Sequence, residues 1–165
     1  MDELPAAFWR GVEEFNQGHY YACHDTLEAL WMEATDPPKS LYQGFLQVAV
    51  ACYHLGNKNW QGAVVLLGEG IGRLQTYEPE FAGLNVEQFV EMSANLLECL
   101  QQYGPEQVSV FSQLVVSANQ KSESTPKGSM RFGDTLVVLP QIMTVLCHQS
   151  EEREVPQMND LGSVD

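Results

Sequence analysis

Through the first two thirds of the chain, apolar side chains recur at intervals of three and four, the spacing of one face of an α-helix, and alternation at two is weak. A first helix is predicted over 5–17, with Phe8, Val12 and Phe15 on one stripe and Gly18 placed to end it. A second runs over 20–34, with Cys23, Leu27, Leu30 and Trp31 on one side, and is stopped by Asp36-Pro37-Pro38. The third spans 41–55 and ends at Gly56-Asn57, and the fourth spans 60–77 on the stripe Trp60, Val64, Leu67, Ile71 and Leu74. Glu78-Pro79 precedes a fifth over 86–103, whose Phe89, Leu96, Leu97 and Leu100 face inward, and a short helix follows over 106–118. The fold class is therefore all-α, a compact bundle of about five helices built as hairpins, with a C-terminal extension.

The pattern also divides the chain. The bundle domain is expected over 5–118 and a Ser/Lys/Pro/Gly-rich linker over 119–131. An extension is expected over 132–149, where Thr135 to Leu139 fits a strand or the lead into a helix at Gln141 and a docked helical segment is favoured, and an acidic, disordered tail over 150–165.

The third helix carries the most information. No charged residue occurs from Ser40 to Asn57, and a helix apolar nearly all round is a buried helix. Gln43, Gln47 and His54 fall on a single stripe of it, and polar groups buried there require partners. The second helix offers them: His24 and Glu28 are four apart on one face, with Trp31 a further turn along, whereas Asp25 should point about 100° away from His24.

Charge narrows the partners. Of 165 residues, 22 are acidic and 8 basic, a formal net charge of −14, so phosphate backbones and anionic lipid surfaces are repelled and neither nucleic acid nor a membrane is expected. Hydrophobic residues make up 44% of the chain, enough to bury a core. The amino terminus shows no signal-peptide pattern and no apolar run approaches the roughly 20 residues of a membrane span, so a cytoplasmic protein is expected. Cys23, Cys52, Cys99 and Cys147 are scattered without a C-x-x-C pair and read as small core hydrophobes in a reducing compartment. Cys23 and His24, adjacent on a helix, diverge and do not form a nucleophile–base pair. No oligomeric state is specified.

Three segments together resemble a known family: Phe8 to Trp31 (FWRGVEEFNQGHYYACHDTLEALW), Tyr42 to His54 (YQGFLQVAVACYH), and Asn59 to Ala63, with FAGLNV (Phe81 to Val86) following. It is the bacterial and archaeal family catalogued as the domain of unknown function numbered three hundred and nine. The resemblance covers roughly Phe8 to Tyr103 and implies a small all-helical protein, with family positions at His24, Glu28, Trp31, Gln43, Gly44, Gln47, His54 and Gly62-Ala63. Where the family usually has His-Glu, this chain has His24-Asp25. The resemblance implies no reaction.

Three readings of the polar constellation follow. In the first, His24, Glu28, Trp31, Gln43, Gln47 and His54 surround a buried polar pocket, its walls closed by the rings of Trp31 and Tyr53, that takes a small polar ligand, or that belongs to an interaction domain. In the second, His24, Glu28 and His54 hold one zinc or iron ion in a mononuclear metalloenzyme, two imidazoles and a carboxylate leaving a position open to water. Within the expected bundle, 5–118, no second H-x-x-x-E or E-x-x-H completes a di-metal site, and no other cofactor is predicted. In the third, the polar residues are a structural network. The echo between Asn16–Ala22 and Leu55–Ala63, each a helix end, a glycine turn and an aromatic opening a new helix, then marks a tetratricopeptide-like scaffold.

Overall fold

A computed structural model describes residues 3–118 and 128–145. The helices expected from the pattern are present: α1 (Ala6–Asn16), α2 (Tyr20–Glu33), α3 (Pro38–Gly56), α4 (Trp60–Leu74), α5 (Val86–Tyr103) and α6 (Val108–Ala118). The fourth ends three residues early because Gln75–Tyr77 tightens into a 3-10 turn, and a similar turn over Pro105–Gln107 leads into α6.

Local chemistry fixes the ends. Gly18, at φ 81°, turns the chain out of α1, its N–H reaching the Phe15 carbonyl at 3.0 Å. Asp36 Oδ1 accepts from both the N–H and the hydroxyl of Ser40 in the first turn of α3. Asn59 and Asn85 cap α4 and α5, each side-chain oxygen accepting from the N–H three residues on.

The helix α3, which carries no charge from Ser40 onward, lies at the centre, packed against α2, α4 and α6. Leu41, Phe45, Val48, Ala49, Ala51, Cys52 and Leu55 are at most 1% exposed, so it is buried nearly all round, as the charge-free run demands. Against α4 it approaches almost to backbone contact. A Cβ placed on Gly70 would lie 2.9 Å from the Gly44 carbonyl oxygen and 2.7 Å from Val48 Cγ2, and one on Gly44 would lie 2.7 Å from Leu74 Cγ. Trp60 Nε1 donates to the Leu100 carbonyl at 2.8 Å, and Ser112 Oγ donates to the Gly56 carbonyl at 2.7 Å, tying α5 and α6 to the ends of this pair.

Beyond α6 the expectation of a helix over 132–148 is wrong for the described residues. Ser129–Phe132 (β3) and Thr135–Val138 (β4) pair antiparallel, so β3 also begins inside the stretch expected as linker. Gly133 at φ 61° supplies the turn, Thr135, Val137 and Val138 favour an extended chain, and Pro140 cannot continue a helix. Phe132 stacks on Phe111 at 5.8 Å and Tyr103 at 4.2 Å. Asn16 exchanges two hydrogen bonds with the backbone of Ile142. A second small hairpin, Glu80–Phe81 (β1) with Leu84–Asn85 (β2), receives the following residues through a bridge between Leu84 and Thr144. The expected tail over 150–165 and residues 119–127 of the expected linker lie outside the described residues, as do Cys147 and His148. Among the described residues no helix is long and apolar enough to cross a membrane.

The Gly70 contact generates a signed prediction. Alanine in place of a mid-helix glycine ordinarily gains about 1 kcal/mol, but here the added carbon meets a carbonyl that cannot move independently of α3, and overpacking costs about 1–3 kcal/mol. Gly70→Ala should therefore lower the unfolding free energy in a urea titration. Gly72→Ala, whose Cβ meets nothing within 4 Å, should raise it.

Candidate functional site

The structure divides the predicted constellation between two sides and two ends of α3. Gln47, 8% exposed, faces α4: its Nε2 donates to Glu69 Oε2 at 3.0 Å, and Arg73 Nε donates to its Oε1 at 3.1 Å. The partners expected for it on α2 are thus on α4, beside the glycine contact, where the amide spans the closest helix pair. Gln43 is half-buried one turn earlier. Trp31 lies near the start of α3, with Lys39 Nζ 5.0 Å from its ring centroid and its indole Nε1 buried without a hydrogen-bond partner among the described residues. Gln43 and His54 are 11 residues apart, about 16 Å at 1.5 Å per residue. One small ligand cannot reach both.

What does come together lies at the other end, where α2 begins and α3 finishes. His24 and His54 line one hollow of about 130 Å³ with Tyr20, Tyr21, Val50 and Tyr53. Tyr21 and Tyr53 face one another across the two helices, with ring centroids 5.5 Å apart at 51°, and remain 61% and 40% exposed. A second hollow of about 570 Å³ shares Tyr20, Tyr21 and Tyr53 and extends over Gly56 to Val115 and Val116 of α6. The site is therefore an open aromatic groove. The polar centre expected inside the bundle is replaced there by apolar packing.

Both histidines are held from outside the groove. His24 Nδ1 lies 3.1 Å from Asp25 Oδ1 and Nε2 lies 3.5 Å from Glu28 Oε2, so each ring nitrogen faces a carboxylate. Asp25 does not point away from His24 as expected, because its side chain reaches back to the neighbouring ring. His54 Nδ1 lies 3.4 Å from Asn59 Nδ2, and Gly62 leaves the space both occupy: a Cβ there would meet Asn59 Nδ2 at 2.7 Å and His54 Cδ2 at 3.1 Å.

Ligand atoms of His24, Asp25 and Glu28 all lie within 4.8 Å of one another, and this is the set that could hold a metal ion among the described residues. His54, expected as a third ligand beside His24 and Glu28, does not belong to it. Tyr20 and Tyr21 are the groove residues that sequence reasoning missed, although Tyr21 stands three residues before His24 and so shares its helix face.

Beneath the groove the thiols are inert. Burial pushes Cys23 and Cys52 up from an ordinary 9.0 to about 12, outweighing the Tyr20 hydrogen bond that lowers Cys52. Burial, reinforced by Cys52, also holds the Tyr20 phenol well above 10.0.

A bundle of α-helices with an aromatic, histidine-bearing groove at one end defines the class of this protein. Residues 8–66 match the family model described as "Domain of unknown function (DUF309)". It is 32% identical over 118 residues to the "Uncharacterized protein YpuF" of Bacillus subtilis (strain 168), the alignment covering 68% of this chain and 64% of that protein. The chain thus spans less than two thirds of the length of the curated relative it matches. No solved structure matches it.

The raised thiols predict an alkaline limit to stability. The folded state keeps protons that the unfolded chain releases above about pH 9, so stability contributed by these groups is complete below that value and declines as pH rises toward about 12. Urea midpoints measured from pH 7 to 11 should fall on the alkaline side, and fall less steeply in Cys52→Ala.

Proposed function

We propose that this domain is a binding module that takes a small polar ligand in the groove between α2 and α3. The observation that carries the reading is the Tyr21–Tyr53 pair, two large rings left in solvent over a hollow that His24 and His54 also line. Aromatic walls with a few convergent polar groups are the usual make-up of a small-molecule site. The four groove side chains have distinct tasks: Tyr21 and Tyr53 supply contact area, His24 adds a third ring whose nitrogens are turned to Asp25 and Glu28, and His54 offers a hydrogen bond from the opposite helix. Asp25 and Glu28 orient the His24 ring.

The metal reading has one observation in its favour, the proximity of His24, Asp25 and Glu28. The two carboxylates address different nitrogens of the ring, and a metal ion takes only one of them, so a shared ion would require one carboxylate to swing across. The present arrangement suits an oriented imidazole better. The scaffold reading needs an open concave face, whereas α3 is enclosed by three helices.

Saturation-transfer NMR of the full chain against a library of small polar metabolites tests the binding reading, with Tyr53→Ser as the groove control. Hits whose transfer disappears in Tyr53→Ser are expected; a library whose hits all persist in that variant would contradict the assignment. Protein purified without chelators should hold well below one equivalent of zinc or iron. A full equivalent lost in Asp25→Asn would establish the metal site instead.

A further inference from the structure

We propose that the ligand of this groove carries an organic cation, an ammonium or guanidinium group, which sits against the faces of Tyr21 and Tyr53. The inference rests on the binding role proposed above and adds the chemical class of what is bound. Two independent features point to it. The first is the wall: Tyr53, Tyr21 and His24 form a run of rings with centroids 5.5 and 6.0 Å apart, the two tyrosines exposed to solvent and His24 half-buried. Such faces present the negative side of the aromatic quadrupole and attract a cation placed within about 6 Å.

The second is charge. Among the described residues no lysine or arginine lines either hollow, so a cation entering the groove meets no fixed positive side chain from them. Asp25 and Glu28, 60% and 48% exposed at their side chains, flank a wall residue, and the chain as a whole carries −14. An anionic ligand would meet the opposite: no cationic side chain to pair with and a repelling field around it. A neutral ligand would gain from the apolar contact alone.

The test is a charge series on the full chain at about pH 8 and low salt, following the ring resonances of Tyr21, Tyr53, His24 and His54 with benzyltrimethylammonium, benzyl alcohol and benzoate. The cation should bind about tenfold more tightly than the alcohol, with benzoate weakest. Tyr53→Leu, at a position 40% exposed, should keep the fold by near-ultraviolet circular dichroism and bring the cation down to the affinity of the alcohol. Asp25→Asn combined with Glu28→Gln should weaken the cation severalfold more than it weakens the alcohol, and equal weakening of the two would overturn the charge contribution.

Equal binding of cation and alcohol at these rings would leave the groove as a binding site and overturn its cation preference. A preference that survives in Tyr53→Leu would place the cation elsewhere and also overturn it. Absence of any shift at the four rings with all three probes would remove both this inference and the binding role beneath it.

Discussion

The approach of α3 to α4 through Gly44 and Gly70 is the constraint on which the rest of the structure depends. With backbone facing backbone there, two helices come closer than side chains normally allow, and every residue of α3 acquires a fixed rotation about its axis. The side facing α4 then has room for one long polar group, Gln47, which Glu69 and Arg73 hold from both ends of its amide. An amide paired at both atoms is tolerable in a core that would be destabilised by an unpaired one. The same rotation directs Cys52 inward, toward Tyr20 and Cys23 of α2, and leaves Tyr53 at the surface.

The groove follows from that rotation. Because α2 and α3 run antiparallel, the start of one meets the end of the other, and Tyr21 and His24 stand opposite Tyr53 and His54. The floor is tied to the core through buried Tyr20, which lies against Cys52 and Cys23, with half-buried Val50 beside it, while the rims are exposed rings. The junction between α3 and α4 contributes as well: Gly62 leaves space for Asn59, and Asn59 both caps α4 and lies against His54. A residue that starts one helix thus positions a side chain that ends the previous one. A floor tied to the core and exposed chemistry above are what a preorganised binding surface needs.

Most of the fold was legible in the sequence because the helical period is a local property. Proline and glycine placed the boundaries of α1 to α5 to within a few residues, and the charge-free run from Ser40 to Asn57 announced the burial of α3. The hairpin after α6 was misread because Thr135 to Leu139 is an apolar run too short for its period to separate strand from helix. Its partner strand, supplied by Ser129 to Phe132, lay in a segment whose composition suggested a linker. The site was legible in part. His24 and Glu28 do meet, and His24 and His54 do share a hollow. Gln43, Gln47 and His54 share a stripe along the helix, but a stripe has length, and along α3 that length separates its ends by more than a small ligand spans. Which neighbour each part of the stripe faced depended on the glycine contact with α4, and nothing in a one-dimensional period encodes it.

The account holds that the polar residues of α2 and α3 divide into a clamp between α3 and α4 and a groove between α2 and α3. Calorimetric titration of one groove ligand into Gln47→Ala and His54→Ala in parallel tests this division most directly. Gln47→Ala should unfold at lower urea yet bind with nearly unchanged affinity in its folded state, whereas His54→Ala should keep its stability and lose most of the binding. Loss of binding in a fully folded Gln47→Ala, with His54→Ala unaffected, would contradict the division and return the site to the centre of the bundle.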